Sequence, residues 1–332
     1  MYADRLKRGV VLVVPVYRHQ ENMLGFETDL ITLDGIPASN VYMEKVPNTR
    51  KTDEYVEVLI ERRWAEISKN PNAKDNPRAR FEGSFYDNDT GMLHIRWSDD
   101  RYKNHATLRE TRLPKPYQAA LFTINGIPHT KDEKIPIVVR NPKTTDQGRI
   151  RHIAPAGFID VEEVDEKLRA ENVSDATVRK LFDELGYSAS SYSESPHHAT
   201  GRELFEELQY GEKEYEKGEP TFPPEVFNPK DMRVLGIVYN SLKNFDYTAS
   251  VLIPLSADSN RVHLKGGEHE EIEWVGTNYE GLRELLLDLS ISPETNSGHL
   301  RGNVALTIGH LHGETAYTEA LEYVTLEIAK RR

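Results

Sequence analysis

Hydrophobic and polar positions follow two different periods along the N-terminal part of the chain. β-branched residues crowd positions 10–17, which predicts a buried strand. From Thr52 to Lys69 apolar residues recur at helical spacing, which predicts a helix with Thr52 as its N-cap. Residues 81–102 alternate on both sides of a turn at 87–91, which predicts a β-hairpin.

Beyond a proline-rich boundary at 113–116, strand and helix patterns alternate. The predicted strands lie at 117–124, 135–140, 234–240 and 247–255, with a turn at Asn125-Gly126 and an apolar segment at 153–159. The predicted helices lie at 161–186, 196–209 and 280–289. We therefore expect an N-terminal α+β domain (1–114) and an α/β domain (115–332).

Composition narrows the class of protein. The net charge of −12 disfavours a nucleic-acid polymer or an anionic membrane as the partner, because both require a positive surface. The chain has no cysteine, which excludes disulfides, thiolate metal sites and thiol nucleophiles. No signal peptide or membrane-spanning segment is evident, so we expect a soluble cytoplasmic protein.

The candidate chemistry lies on the predicted helix at 196–209. Glu203, Glu206 and Glu207 are spaced i, i+3, i+4 and therefore share one helix face. Three carboxylates at that spacing repel one another unless a cation neutralises them, and Mg²⁺ prefers such oxygen ligands. The alternative is a solvated acidic face, which is what most glutamate clusters are.

The sequence around these residues resembles the signature of the Nudix hydrolases, G-x5-E-x7-R-E-U-x-E-E-x-G-U, where U is bulky and apolar. The matching positions are Glu194, Arg202, Glu203, Leu204, Glu206 and Glu207. Upstream, residues 154–160 resemble the strand and turn that precede the signature in that family. Downstream, residues 233–239 and 268–275 resemble its later strands. The resemblance covers about residues 115–290 and implies a Nudix-type α/β/α sandwich with a mixed sheet.

Two departures from the family pattern affect the loops around the helix. Gly157 lies 37 positions before Glu194, where the family spacing is six, so a segment at about 161–191 is inserted. Gln209 replaces the closing glycine of the signature. Neither departure removes a carboxylate.

The resemblance implies a role for each matching polar residue. Glu206 and Glu207 would be the main metal ligands, and Glu203 a further ligand or the base that positions water. Arg202 would orient Glu203 through charge-assisted hydrogen bonds. Glu194 would anchor the loop that enters the helix. The catalytic candidates are therefore Arg202, Glu203 and Glu207.

Two further sets of ligands follow from the same resemblance. The backbone carbonyl of Gly157 is a candidate metal ligand, although a tight turn alone would explain that glycine. Some family members recruit a downstream carboxylate as base or ligand, and the candidates here are Glu268, Glu270 and Glu271. The alternative for these three is a solvated rim.

Histidines and aromatic residues add weaker signals. His197 and His198 are expected to be surface residues of the first helical turn. His310 and His312 alternate at strand spacing, and without a third ligand they do not predict a zinc site. The aromatic residues on which a base could stack, although each is more often a core residue, are Tyr117, Phe122, Tyr239 and Tyr247.

The resemblance implies a Mg²⁺- or Mn²⁺-dependent hydrolase, a pyrophosphatase that cleaves the phosphoanhydride bond of a nucleoside diphosphate linked to another moiety. A nucleotide sugar or ADP-ribose is the expected type of substrate, and a homodimer is left open. The alternative is a non-catalytic Nudix-fold protein that binds a nucleotide for regulation. RNA-cap hydrolysis fits the chemistry but suits the net charge poorly.

Overall fold

The computed structural model describes residues 10–11, 18–71, 73–109, 111, 113–142, 149–159, 161, 195–216, 219–241 and 246–331. These residues form an α/β fold, as the sequence predicts. Glu194, residues 12–17 of the first predicted strand and the predicted helix at 162–186 lie outside the described residues. None of the helices in the described ranges combines the length and the apolar character needed to cross a membrane.

The element order mixes strands and helices throughout. The strands are β1 (Val10–Val11), β2 (Phe26–Pro37), β3 (Val41–Lys45), β4 (Pro77–Asp87), β5 (Met92–Arg101), β6 (Phe122–His129), β7 (Lys134–Arg140), β8 (Arg151–His152), β9 (Ala156–Phe158), β10 (Leu208–Tyr210), β11 (Arg233–Asn240), β12 (Tyr247–Pro254), β13 (Val262–Leu264) and β14 (His269–Gly276). The helices are α1 (Arg18–Leu24), α2 (Glu54–Ile67), α3 (Tyr102–Leu108), α4 (Pro196–Glu207), α5 (Tyr279–Ile291) and α6 (Gly298–Arg331).

The largest sheet has six strands in the order β1-β2-β11-β12-β6-β9. It is mixed, because β12 and β6 run parallel while the other neighbours run antiparallel. The edge strand β9 pairs with β6 so that Gly157 lies opposite Ile124. This pairing fixes β9 beside the candidate carboxylates.

Helices cover both faces of this sheet. Successive strand residues point to opposite faces, and the two sets enter two separate cores. Leu30, Ile237 and Val251 pack in one core with Leu204 and Phe205 of α4. Ile31, Val238 and Leu252 pack in the other core with Leu300 and Val304 of α6. The result is a three-layered arrangement of helix, sheet and helix.

The N-terminal part of the chain contributes strands to two different sheets. β3, β5 and β4 form their own sheet, and Val56 and Ile60 of α2 pack on Leu108 of α3. β2, however, pairs with β11 in the six-stranded sheet. The domain boundary at residue 114 stays a prediction, although β2, which precedes that residue, is part of a sheet whose other central strands follow it.

The hairpin prediction at 81–102 is confirmed by β4 and β5, whereas two local predictions are wrong. α2 has its N-cap at Asp53, where Oδ1 accepts a hydrogen bond from the N–H of Val56 (2.9 Å), and not at Thr52. Asn125 and Gly126 lie inside β6 and form no turn. A Cβ on Gly126 would lie 2.6 Å from Cγ of Pro155, so this glycine permits the close approach of two backbones.

The long helix α6 was not predicted from the sequence. Its glycines lower helix propensity, but Gly302 lets the helix approach the sheet, because a Cβ there would lie 2.5 Å from Val238. The helix is interrupted at Gly313, whose φ is +88°. His310 and His312 are on this helix, so the prediction that they alternate along a strand is wrong.

Candidate metal centre

Helix α4 carries the candidate carboxylates and is fixed at its start and along one face. The Ser195 hydroxyl accepts a hydrogen bond from the N–H of His198 (3.3 Å), and Pro196 occupies the first helical turn. Leu204 and Phe205 are buried against the six-stranded sheet. The helix ends at Glu207, because β10 begins at the next residue and pairs with β13.

The three α4 carboxylates differ in exposure. The side chains of Glu203 and Glu207 are 12% and 5% exposed, whereas that of Glu206 is 34% exposed. Nη1 of Arg202 lies 2.6 Å from Oε1 of Glu203 and 3.9 Å from Oε2 of Glu206. Nη2 of Arg202 donates to the Phe158 carbonyl (3.0 Å). Arg202 therefore ties the carboxylates to β9, and its catalytic role stays a prediction.

Gly157 makes room for Glu203. A Cβ on Gly157 would lie 1.9 Å from Oε1 of Glu203, closer than any real contact. Gly157 is part of strand β9 and is not among the glycines with positive φ. The glycine is required by this close approach and not by a turn, and its carbonyl as a metal ligand stays a prediction.

The carboxylate of Glu207 is held by one residue from each of two strands in different sheets, β9 and β14. Its Oε1 accepts a hydrogen bond from the N–H of Ala156 (3.2 Å), and its Oε2 lies 2.9 Å from Nε2 of His269. His269 is a residue that sequence reasoning missed, because it lies 62 positions from Glu207. The available signal is its position next to Glu268, a candidate ligand or base by the Nudix resemblance.

Burial and mutual repulsion disfavour the ionised forms of the α4 carboxylates. Burial raises the pKa of both Glu203 and Glu207 well above the usual range. Repulsion from Glu206 raises both pKa values further, and Arg202 opposes the shift for Glu203 only in part. Burial lowers the pKa of His269 to about 4, so its imidazole is neutral near pH 7.

The three downstream glutamates do not share one environment. Glu268, next to His269, has its backbone carbonyl bound to the N–H of Asn141 (2.8 Å). Ligand atoms of Glu207, Glu268 and His269 all lie within 4.8 Å of one another. Glu270 and Glu271 are exposed residues of β14 and are not part of this group. Their role as ligand or base stays a prediction.

The other histidines are not where the sequence placed them. His197 and His198 are 0% and 4% exposed, so the prediction of surface residues is wrong. The first part of α4, from Pro196 to Arg202, is buried on all sides. His310 and His312 bond to different backbone carbonyls, those of Leu33 and Thr277.

The aromatic candidates pack mainly on one another. Tyr247 stacks on Phe81 with ring centroids 4.3 Å apart, and Tyr239 lies 4.8 Å from Tyr247. The Tyr239 hydroxyl donates to Oε1 of Gln118 (2.8 Å). Phe122 is fully buried. Phe122 is therefore a core residue, whereas Tyr239 and Tyr247 also line a cavity of about 490 Å³, and base stacking on them stays a prediction.

The residues present fit a hard divalent cation. The donor set consists of carboxylate oxygens, which Mg²⁺ and Mn²⁺ prefer. Glu207 is buried, and Glu203 fills the space that a side chain on Gly157 would take. Among the described residues, however, the ligand atoms that lie within 4.8 Å of one another are those of Glu207, Glu268 and His269, and not those of the three α4 carboxylates. A cation would favour the ionised forms of Glu203 and Glu207, which burial and, to a smaller extent, mutual repulsion disfavour.

Comparisons with known proteins do not assign this chain to a family. No family model matches the sequence, and no curated protein matches it. Among solved structures, the crystal structure of DR0079 from Deinococcus radiodurans, at 1.9 Å resolution, is similar with 14% sequence identity and a TM-score of 0.33. The match covers 55% of this chain and 80% of that chain. A likeness of this size carries no argument about function.

Proposed function

We propose that this protein is a Nudix-type hydrolase that depends on Mg²⁺ or Mn²⁺ and cleaves the phosphoanhydride bond of a nucleoside diphosphate linked to another moiety. A nucleotide sugar or ADP-ribose is the expected substrate type. The observation that carries the proposal is the close approach of Glu203 to Gly157, which sets the carboxylates of the Nudix-like signature against β9. A solvated acidic helix face would need no such fit.

Each residue of the cluster has a task in this reaction. Glu203, Glu206 and Glu207 would hold the cation. The chemistry that a bound divalent cation supplies is charge neutralisation on the diphosphate and a lower pKa for the attacking water. If Glu203 acts as the base and not as a ligand, it would take a proton from the attacking water as the water oxygen bonds to phosphorus, and the phosphate on the other side of the bridge would leave with the electron pair of the broken P–O bond. Arg202 holds Glu203 in place through the 2.6 Å contact.

A cavity lined by Phe158 of β9 is a candidate for binding the rest of the substrate, and none of the candidate carboxylates that the structure describes lines it. It has a volume of about 440 Å³, within the range of small-molecule sites. Its described lining includes three cationic side chains, Lys74, Arg78 and Arg109, and one carboxylate, that of Glu66. Cationic side chains attract the negative charge of a phosphorylated ligand, which the net charge of the whole chain repels.

The experiment is a product assay on the full chain. Purified protein is incubated with ADP-ribose or with nucleoside-diphosphate sugars and Mg²⁺, and release of nucleoside monophosphate is measured. Substitution of outer-sphere partners already costs about 10–100-fold in metal sites, so we expect Glu206→Gln to lower the rate by at least about 100-fold. Glu206 is partly exposed, so this variant should still fold.

The matched control is Glu212→Gln, which removes the same charge from an exposed position beyond β10. It should retain the wild-type rate. Stabilisation by a nucleotide without turnover under Mg²⁺ or Mn²⁺ would contradict the proposal and favour the non-catalytic binding protein. An unchanged rate in Glu206→Gln would contradict the assignment of the metal ligands.

A further inference from the structure

We propose that Glu207, Glu268 and His269 form a second metal position, in which an imidazole nitrogen is a ligand and which prefers Mn²⁺ or Zn²⁺ to Mg²⁺. The position shares Glu207 with the proposed catalytic cluster, so its role in turnover rests on the proposed function. The ligand set itself differs from that cluster, because the Nudix-like signature supplies only oxygen ligands. Neither the signature nor the acidic face of α4 includes His269.

The spacing of the atoms suits one ion. Metal–ligand bonds of about 2.0–2.2 Å place neighbouring ligand atoms of an octahedral ion about 3 Å apart and opposite ones about 4.2 Å apart. Oε2 of Glu207 and Nε2 of His269 are 2.9 Å apart, which is the spacing of neighbouring ligands. The whole group lies within 4.8 Å, so a small closure brings Glu268 into range.

Two of the three side chains are held rigidly in the interior. The side chains of Glu207 and His269 are 5% and 4% exposed. The N–H of Ala156 fixes one oxygen of Glu207 and leaves the other directed at the imidazole. Strand pairing of His269 with Arg140 fixes the backbone behind the ring. Such preorganised ligands need little reordering when an ion binds.

His269 has few hydrogen-bond partners for a buried residue with a purely structural role. Its Nδ1 is buried and has no hydrogen-bond partner among the described residues, so its described polar contact is the one to Glu207. Burying an imidazole and a carboxylate with so few partners is unfavourable. A cation bound to Nε2 of His269 and Oε2 of Glu207 would replace their one mutual contact by two metal–ligand bonds, while Nδ1 would keep its present surroundings.

Glu268 is the ligand on the solvent-exposed side of the proposed metal position. Its side chain is 58% exposed and lies 3.8 Å from Nη2 of Arg140, a long ion pair that a cation can replace. Its backbone is fixed by the hydrogen bond from Asn141. An exposed third ligand leaves the remaining coordination positions of the ion open to water or to a substrate oxygen.

The chemistry of the donors sets the choice of ion. Imidazole favours the later divalent metals, whereas Mg²⁺ favours oxygen ligands and retains its waters. A site with two carboxylates and one imidazole therefore binds Mn²⁺ or Zn²⁺ more tightly than Mg²⁺.

The test uses Mn²⁺ alone on the metal-free full chain. Electron paramagnetic resonance counts the bound ions, and electron spin echo modulation detects a coordinated ¹⁴N nucleus. We expect ¹⁴N modulation in the wild type, its loss in His269→Gln, and its retention in His263→Gln, a control on the nearby strand β13. We also expect Glu268→Gln to weaken Mn²⁺ binding by about tenfold without abolishing the ¹⁴N signal.

Absence of ¹⁴N modulation in the Mn²⁺-saturated wild type would overturn the inference, even if His269→Gln failed to fold. Retention of the signal in a folded His269→Gln variant would overturn it as well, and would reduce His269 to a residue that positions Glu207. The proposed function fails separately: ¹⁴N modulation without turnover supports the metal position and contradicts the hydrolase. Turnover that depends on Glu206, without ¹⁴N modulation, supports the hydrolase and contradicts the second metal position.

Discussion

At the scale of single residues, the candidate site depends on how closely side chains on α4 approach the backbone of β9. Glu203 occupies space that any side chain on Gly157 would need, and Arg202 reaches the carbonyl of Phe158. The functional groups are therefore positioned by contacts of one or two atoms. Small substitutions at these contacts should change metal binding more than they change stability.

Gly157→Ala tests that statement. The added Cβ displaces the flexible end of Glu203, so we expect metal affinity and turnover to fall by about 10–100-fold. The fold should persist, because no backbone atom is among the nearest contacts of the new Cβ. Isothermal titration with Mn²⁺ and thermal unfolding measure the two effects. Gly276→Ala on β14, whose nearest contact would be 3.4 Å away, is the control and should bind Mn²⁺ normally.

The raised pKa values of Glu203 and Glu207 predict how stability depends on pH. From pH 4.5 upward the unfolded chain loses protons that the folded chain retains. The free energy of unfolding of the metal-free protein should therefore fall as pH rises through the raised pKa values. Urea unfolding at a series of pH values measures this slope.

A saturating divalent cation should flatten this decline, because it favours the ionised carboxylates. Glu207→Gln should make it shallower in the absence of metal, because only the contribution of Glu203 remains, whereas Glu212→Gln should leave it unchanged. A metal-free stability that rises steadily from pH 5 to 8 would contradict the account of the buried carboxylates.

At the scale of elements, α4 is held in place by its apolar face. Leu204 and Phe205 are buried in the core between α4 and the six-stranded sheet, while the carboxylates of the same helix line the site. The packing of one face thus determines the position of the other. A substitution that removes this packing should lower the free energy of unfolding. It should lower activity indirectly, because the carboxylates would be displaced.

Leu204→Ala should lower the free energy of unfolding by about 2–5 kcal/mol, the usual cost of a cavity at a fully buried leucine. Chemical denaturation of the metal-free protein measures it. Leu326→Ala on α6 is the control, because that side chain is 61% exposed, and it should change stability by less than about 0.5 kcal/mol. Equal effects of the two substitutions would contradict the packing described for α4.

Elements with strong local patterns could be predicted from the sequence, whereas elements decided by tertiary contacts could not. The hairpin of β4 and β5 and helix α4 follow from alternation and helical spacing. Gly126 in β6 and Gly302 in α6 were unpredictable, because their reason is the approach of another segment. His269 could not be assigned from spacing, since only the folded sheet brings it to Glu207.

At the scale of the whole molecule, charge is distributed unevenly. The chain has a net charge of −12, yet the cavity beside Phe158 has more cationic than acidic side chains in its described lining. Residues of α3 and of the loop after α2 contribute to this lining. The N-terminal part should therefore take part in substrate binding, whatever the position of the domain boundary.

Arg109→Gln tests that contribution. Loss of one cationic side chain should raise KM by about tenfold and leave kcat nearly unchanged. The side chain would bind the substrate and the transition state equally well, and the groups that react are not altered. Steady-state kinetics with the best substrate of the product assay provide both constants. Arg62→Gln, an exposed residue of α2 outside the cavity, is the control. A fall in kcat with an unchanged KM would contradict a binding role.

The central claim is that the carboxylates of α4 hold a divalent cation, and crystals soaked in Mn²⁺ test it most directly. Anomalous difference density should place an ion about 2.0–2.3 Å from carboxylate oxygens of Glu206 and Glu207. The same peak should be absent from crystals of Glu206→Gln soaked in the same way. A wild-type crystal at millimolar Mn²⁺ with no peak beside these side chains would contradict the claim.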